Sequence, residues 1–372
     1  MEAQTRFDPL RQTDMTTPCE CGHRIDTHHH IIPPAYLARA RDRVIGDAPA
    51  LAKNVTEWNA TRAVEALDRA GIATAITSIS SPGIWFGDRD TTRALSRECN
   101  DFAARLKQDH PGRFGQFATL PLPDVDASLH EIDYALGTLR AEGIGLVTNI
   151  GGQYPGDQAF KPIFEELNRR GATVYFHPTA AFGCANLLPG IQPATLEFLF
   201  DTARAILSLL HSGTFSRCTN IRWIFSHGGG ALATVAQRIA GMARFQPEMN
   251  ERVPEGVFAA IAKLHFDVVN IAQRPVFEAV RSLVNISQLL FGTDYPYMPI
   301  ELASTNLDKL QLTAGDIRAI ERDNAIRLFP QLDGDANEAP AVGGHGERIA
   351  AAQSVACRRR DRYPRSLERR AS

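Results

Sequence analysis

The sequence predicts an α/β chain closed into a (β/α)8 TIM barrel. Three observations carry this. Eight short apolar runs alternate with segments of helical periodicity between residues 24 and 329. Several of those runs end in a histidine or an aspartate, with Pro or Gly close behind. No Gly-X-Gly-X-X-Gly follows a strand, which leaves little support for the dinucleotide-binding form of the structural alternative, a doubly wound open sheet. Eight is the strand number that closes a barrel, and such barrels gather their chemistry at the C-terminal strand ends.

Strand one is the stretch Arg24-Ile25-Asp26-Thr27-His28-His29-His30, which the pair Pro33-Pro34 turns into a long loop reaching about residue 55. Residues 57–70 have helical spacing through Val64, Leu67 and Ala70, and Gly71 stops them. Strand two (72–79) is apolar and β-branched and runs into Ser-Pro-Gly. A helix over 91–108 leads to strand three (114–122), which Pro123 ends. Helix 127–142 leads to strand four (145–150), which ends in Gly-Gly. Helix 160–170, stopped by Gly171, leads to strand five (173–176), which delivers His177-Pro178. Helix 196–212 leads to strand six (221–226), which delivers His227-Gly228-Gly229-Gly230. Helix 232–244, strand seven (265–269) and helix 276–283 follow. Strand eight (288–292) delivers Thr293-Asp294-Tyr295-Pro296, and a helix over 313–329 closes the barrel. There is no internal repeat.

The 372 residues suit two average domains, or one barrel with extensions. A hydrophobic content of 44% and a charged content of 22% are those of an ordinary soluble globular protein. No apolar run is long enough to span a bilayer, and residues 1–17 lack the apolar core of a signal peptide. Six scattered cysteines without an export signal point to unpaired thiols in the cytoplasm. The net charge of −2 is uneven: residues 356–372 carry +5 and the remainder −7. A solubilising end explains that basic stretch better than a nucleic-acid or membrane partner does. The expected organisation is a flexible tail over 1–22, the barrel over 23–332 and a flexible basic tail over 333–372.

The polar residues at strand ends are His28, His30, His177, His227 and Asp294. On a strand, His28 and His30 share one face and His29 points away. A single buried histidine is ordinarily a hydrogen-bonded core residue. Four at strand ends with an aspartate are hard to explain that way, and three neutral imidazoles with one carboxylate make a good ligand set for one borderline divalent ion such as zinc. Strand four carries no lysine to bridge a second ion. His29 faces the barrel wall or its partner helix and is expected to be structural. His23, His110, His130, His211 and His345 sit in loops, helices or a tail, and His265 starts a strand rather than ending one.

The motifs Asp26-Thr27-His28-His29-His30, Phe176-His177-Pro178, Ser226-His227-Gly228-Gly229 and Phe291-Gly292-Thr293-Asp294-Tyr295-Pro296 resemble those of the amidohydrolase superfamily. They are similar in particular to its metal-dependent non-oxidative decarboxylases, related to aminocarboxymuconate-semialdehyde decarboxylase. The stretch from Phe200-Asp201-Thr202-Ala203-Arg204-Ala205 to His227 resembles the 6-methylsalicylate decarboxylase-like members. The resemblance covers about residues 24–330. It implies an amidohydrolase-type barrel in which His28, His30, His177 and Asp294 hold one metal, zinc or in some members manganese. It implies that His227 is the catalytic histidine, and that the enzyme is a homodimer. In relatives an arginine eleven residues past that histidine binds a substrate carboxylate in the neighbouring subunit's site; here it is Arg238, about three helical turns on.

The expected reaction is loss of carbon dioxide from a small aromatic or enoic carboxylic acid. Asp294 or His227 supplies the proton that replaces the carboxyl group. Metal-dependent hydrolysis of an amide or lactone uses the same ligand set and is the alternative. A non-catalytic, metal-stabilised barrel is the third possibility, but it has no use for His227. Trp85 and Phe86 after strand two, with Tyr297 and Met298 after Asp294, are candidates to cover a substrate ring. Arg41 and Arg43 are candidate carboxylate contacts in the loop after strand one.

Overall fold

The structure is a computed structural model that describes residues 23–333, apart from 48, 50, 51, 185 and 186. Eight strands follow one another around the sheet in chain order: β1 (Arg24–His30), β2 (Ile72–Ser78), β3 (Phe114–Thr119), β4 (Gly143–Val147), β5 (Thr173–His177), β6 (Arg222–Phe225), β7 (His265–Asp267) and β8 (Leu289–Leu290). Every neighbouring pair is parallel. Residues just past β8 complete the barrel against β1. Thr27 N donates to Phe291 O (2.9 Å), Asp294 N to His28 O (2.7 Å) and His30 N to Tyr295 O (2.8 Å).

The main crossover helices are α3 (Ala60–Arg69), α4 (Arg89–Asp109), α5 (Val125–Asp133), α6 (Lys161–Arg169), α7 (Pro193–His211), α9 (Leu232–Ala243) and α12 (Arg274–Arg281). Their starts obey sequence chemistry. The Asn59, Asp88 and Asp124 side chains accept the backbone N–H three residues on, which satisfies donors that the first helical turn leaves unpaired. On α3, Ala63, Ala66 and Leu67 form the buried stripe that packs toward the barrel wall. Shorter helices α8 (Thr214–Arg217), α10 (Pro247–Arg252), α11 (Val257–Ile261), α13 (Glu301–Asp308), α14 (Ala314–Arg318) and α15 (Asn324–Leu328) fill the connections.

Inside the barrel, Ile25, Ile76, Phe117, Tyr175, Ile224 and Leu290 form an apolar layer, closed from below by Ala325, Leu328 and Phe329. Phe117 and Tyr175 stack at 5.0 Å across β4. That stack explains why β4 is glycine-rich: a Cβ at Gly145 would lie 3.2 Å from that of Phe117. Each of these residues precedes the functional positions on its strand, so the layer is a floor beneath the barrel mouth.

Two expectations need correction. The stretch after strand one is no long loop: it holds α1 (Pro34–Asp47) and α2 (Ala52–Thr56). Pro34 is the first residue of α1, where its missing N–H costs nothing. Tyr36, Ala40 and Val44, four apart, are its buried stripe. Arg41 and Arg43 therefore stand on a helix. The long helices expected over 127–142 and 313–329 are interrupted by wider turns at Tyr134–Thr138 and Ala319–Asp323. No helix among the described residues is long and apolar enough to cross a membrane. The expectations for residues 1–22 and 334–372 lie outside the described residues, while Asp333 accepts an ion pair from Arg322 at 3.0 Å.

Candidate metal centre

Above the apolar floor, β1, β5 and the segment after β8 bring His28, His30, His177 and Asp294 together. Their ligand atoms all lie within 4.8 Å of one another, and all four residues are buried. Each imidazole is oriented through Nδ1. His28 Nδ1 meets Asp267 Oδ2 at 2.8 Å, His30 Nδ1 meets Ser78 Oγ at 3.0 Å, and His177 Nδ1 meets Pro178 O at 2.8 Å. With Nδ1 occupied, Nε2 is the atom each ring has left to offer, which is the usual way a protein aims a histidine at a metal. His28 Nε2 and His30 Nε2 already converge to 3.0 Å.

Asp294 Oδ1 lies 3.3 Å from His28 Nε2 and 3.2 Å from His30 Nε2. Neither contact has hydrogen-bond geometry, so this buried oxygen lacks such a partner. A buried carboxylate oxygen without a hydrogen bond is costly, and a cation among these atoms removes the cost. Three imidazoles and one carboxylate also match the donor preference of zinc-like ions. The residues therefore fit a divalent metal.

The electrostatics agree. Burial pushes His30 down to about 4 and His177 well below the ordinary imidazole range, so both stay neutral with lone pairs free. Burial opposes a charge on His28 too, but Asp267 and Asp294 outweigh it and hold its pKa at about 10. Burial raises Asp294, yet His28 and His227 pull it well below the usual carboxylate value. The set is one carboxylate and two neutral imidazoles, with a third imidazole whose proton a metal would displace.

His227 stands beside the set, its Nε2 3.6 Å from Asp294 Oδ2 and its Nδ1 buried without a hydrogen bond. Its backbone has φ 53°, and that of Asp294 has φ 59°. A side chain in this left-handed region is uncommon and clusters at functional sites. The turn holds because Asp267 Oδ1 accepts His227 N at 2.9 Å and because glycines follow. A Cβ at Gly230 would lie 2.2 Å from Leu199 O on α7.

Sequence reasoning missed Asp267, which ties β7 to both His28 and His227. The signal was present: an acidic residue ends an apolar strand. Asp26 opens the first motif, and its role is structural. It is fully buried, receives His28 N (3.0 Å) and Thr293 N (3.1 Å), and faces His29 Nδ1 at 3.0 Å. Asp26 thus pins β1 to the segment after β8, and His29, stacked on Tyr295 at 5.0 Å, takes the structural place expected of it. Past β4, Asp201 of α7 receives Asn149 Nδ2 (2.8 Å) and the Thr148 hydroxyl, a polar anchor that the absence of a lysine from strand four does not reveal.

The expected substrate contacts divide. Tyr297 is buried, its ring edge-on to that of His30 at 5.5 Å. Trp85 is half-buried over the tops of β3 and β4, among Thr119, Leu146 and Val147. Phe86 carries the Arg43 guanidinium 4.8 Å above its ring, so these two side chains engage each other. Arg238 is exposed on α9 and makes no hydrogen bond or ion pair among the described residues. It lines a groove of about 530 Å³ with Tyr154, Arg204 and His211, and is not brought to the metal cluster of its own chain.

Residues 25–331 match the amidohydrolase family model. The chain is 32% identical to decarboxylase yanB of Aspergillus niger, over 83% of this chain and 88% of that one. It is 33% identical to 6-methylsalicylic acid decarboxylase of Penicillium expansum, over 84% and 97% of the two chains. In fold it is similar to a dihydroxybenzoic acid decarboxylase from Polaromonas solved with bound manganese and an inhibitor, at 21% identity, a TM-score of 0.73 and coverage of 84% and 98%. The chain belongs to the amidohydrolase family and is one of its decarboxylases.

Proposed function

We propose that the enzyme removes carbon dioxide from a small hydroxylated benzoic acid of the 6-methylsalicylate kind, using one divalent metal held by His28, His30, His177 and Asp294. Zinc suits this donor set best, and manganese is the alternative. A metal there supplies Lewis acidity for a carboxylate and an adjacent hydroxyl. The observation that carries the reading is Asp294, which faces the ligand histidines with one oxygen and His227 with the other. When the ring–carboxyl bond breaks and carbon dioxide leaves, the ring carbon keeps the electron pair and needs one proton. Asp294 is ionised at rest, so the proton must first reach it: His227, 3.6 Å from Oδ2, is placed to hand a proton to Asp294, and Asp294 to pass it to the ring carbon. The apolar floor lies beneath the pair and both side chains are buried, which limits their contact with water.

The working unit we propose is a homodimer. Arg238 stands exposed and unpaired beside Leu207 and Met242, both of which leave apolar surface in solvent. A second copy covering this face would carry Arg238 toward the partner's mouth, where its fork suits a carboxylate. The reaction is tested by carbon dioxide release from metal-loaded enzyme against a hydroxybenzoate panel, with amide and lactone controls. Release from hydroxybenzoates and inert controls are expected. Hydrolysis of the controls without carbon dioxide release would refute the assignment.

A further inference from the structure

Opposite the metal centre, the tops of β2, β3 and β4 enclose a void of about 20 Å³. A space of that size takes one water- or methyl-sized group. Among its lining side chains are Ile79, Ile84, Trp85, Val147 and Ile150. Thr119 contributes the one hydroxyl, and no ionisable residue lines it. We propose that this void is a specificity subsite that accepts a single alkyl substituent on the substrate ring. The inference rests on the decarboxylase function and says which ring that function prefers.

Placement comes first. The metal-site residues arise from β1 and β5 and from the segments after β6 and β8, and the void from the other half of the same mouth. A ring anchored through its carboxylate at the first half points toward the second. Contacts join the halves along two routes. A Cβ at Gly145, which lines the void, would stand 3.7 Å from Ser78 Cβ, and Ser78 Oγ holds His30 Nδ1 at 3.0 Å. Ile84 shares a buried apolar cluster with Tyr297, whose ring meets that of His30.

Chemistry comes second. A hydroxyl or a second carboxylate placed here would be desolvated with few partners, an unfavourable exchange. An alkyl group leaves water and gains close contacts on every side. The wall that sets the depth is Val147. It faces the loop after β2 so closely that a Cβ at Gly83 would lie 3.2 Å from its Cγ2. Gly83 also has φ 74°, which a larger residue resists, so both sides of the void are fixed by sequence.

The test uses metal-loaded enzyme and three forms: wild type, Val147→Ile, which pushes a methyl group into the void, and Val147→Ala, which deepens it. The substrates are salicylate, 6-methylsalicylate and 6-ethylsalicylate, read as kcat/KM for carbon dioxide release. A methylene in an apolar pocket changes kcat/KM by about 10-fold or more. Wild type should therefore prefer methyl over hydrogen by about that factor. Val147→Ile should abolish the preference, and Val147→Ala should move it toward ethyl. Ile150→Val is a second enlargement, used if a Val147 variant does not fold. A methyl-to-hydrogen ratio that stays put in every folded, metal-replete variant overturns the subsite. Calorimetric binding of 3-methylphenol against phenol provides a readout without turnover. If no acid is decarboxylated, the enzymatic assignment fails by itself. A methyl preference in binding that follows Val147 then still supports the subsite, and equal binding overturns it.

Discussion

Replacing Asp267 by Asn tests whether the proposed metal centre depends on a residue outside the proposed ligand set. Asp267 is fully buried. Its Oδ1 accepts His227 N at 2.9 Å and Val269 N at 3.1 Å, and its Oδ2 meets His28 Nδ1 at 2.8 Å. An asparagine fits the same volume, but its orientation is forced. Its carbonyl must sit where Oδ1 was, because two backbone N–H groups point there. Its NH2 then faces His28 Nδ1, and two donors cannot bond. His28 relieves the conflict only by moving its proton to Nε2, the atom that would hold the metal. Losing such an orienting partner costs about 10–100-fold in metal affinity, or about 1.4–2.8 kcal/mol. The assay is competition for metal against a chelator of known affinity, with circular dichroism to show that the fold persists. Activity should fall at limiting metal and recover as metal is raised. Wild-type metal affinity in folded Asp267→Asn would show that His28 is not oriented as argued.

Other outcomes follow from the same geometry. Elemental analysis should find about one divalent ion per chain, since the cluster offers one ligand set and strand four no bridging lysine; two equivalents would break that assignment. His177→Ala should lose the metal, whereas His227→Ala should keep most of it and lose turnover, so equal loss from both would move His227 among the ligands. Arg238→Ala should lose activity, and mixing it with His227→Ala under conditions of subunit exchange should restore part of it, because one site of each mixed dimer then has both residues. Confirmed exchange without any recovery would end the shared-site proposal.

The barrel was legible because its signals are local. Each strand is an apolar run bounded by a breaker, and the crossover helices carry stripes that a window of a dozen residues reveals. The shortest strands show where this stops. β7 and β8 have three and two residues, whereas the sequence pattern predicts five at each place. Gln288 instead closes a short 3-10 turn (Ile286–Gln288) before β8, and Val269 lies in the turn that follows β7, endings that local composition does not encode. Helix α1 was hidden for another reason. Pro33-Pro34 reads as a turn, yet a proline is equally at home in a first helical turn, and only the Tyr36, Ala40, Val44 spacing separates the two.

The site was half legible, and the division has a physical cause. Histidines and carboxylates at strand ends are the donors such a barrel offers a metal, so type and position together picked out His28, His30, His177 and Asp294, whose candidate ligand atoms the structure gathers within 4.8 Å. The residues that orient them are chosen by pairing instead. Ser78, Asp267 and the Pro178 carbonyl each hold one Nδ1, yet a serine, an aspartate and a backbone oxygen have nothing in common that a sequence pattern could display. Asp26 and Asp267 come from the first and seventh strands and both stand fully buried beside β1 histidines. Buried acids of this kind are tolerated only where something accepts from or donates to every oxygen. An aspartate within an otherwise apolar strand is therefore a claim about a partner elsewhere in the chain. Here Asp267 answers to His28 some 239 residues away. That long-range pairing, more than the ligands themselves, is what makes three separate strand ends act as one site.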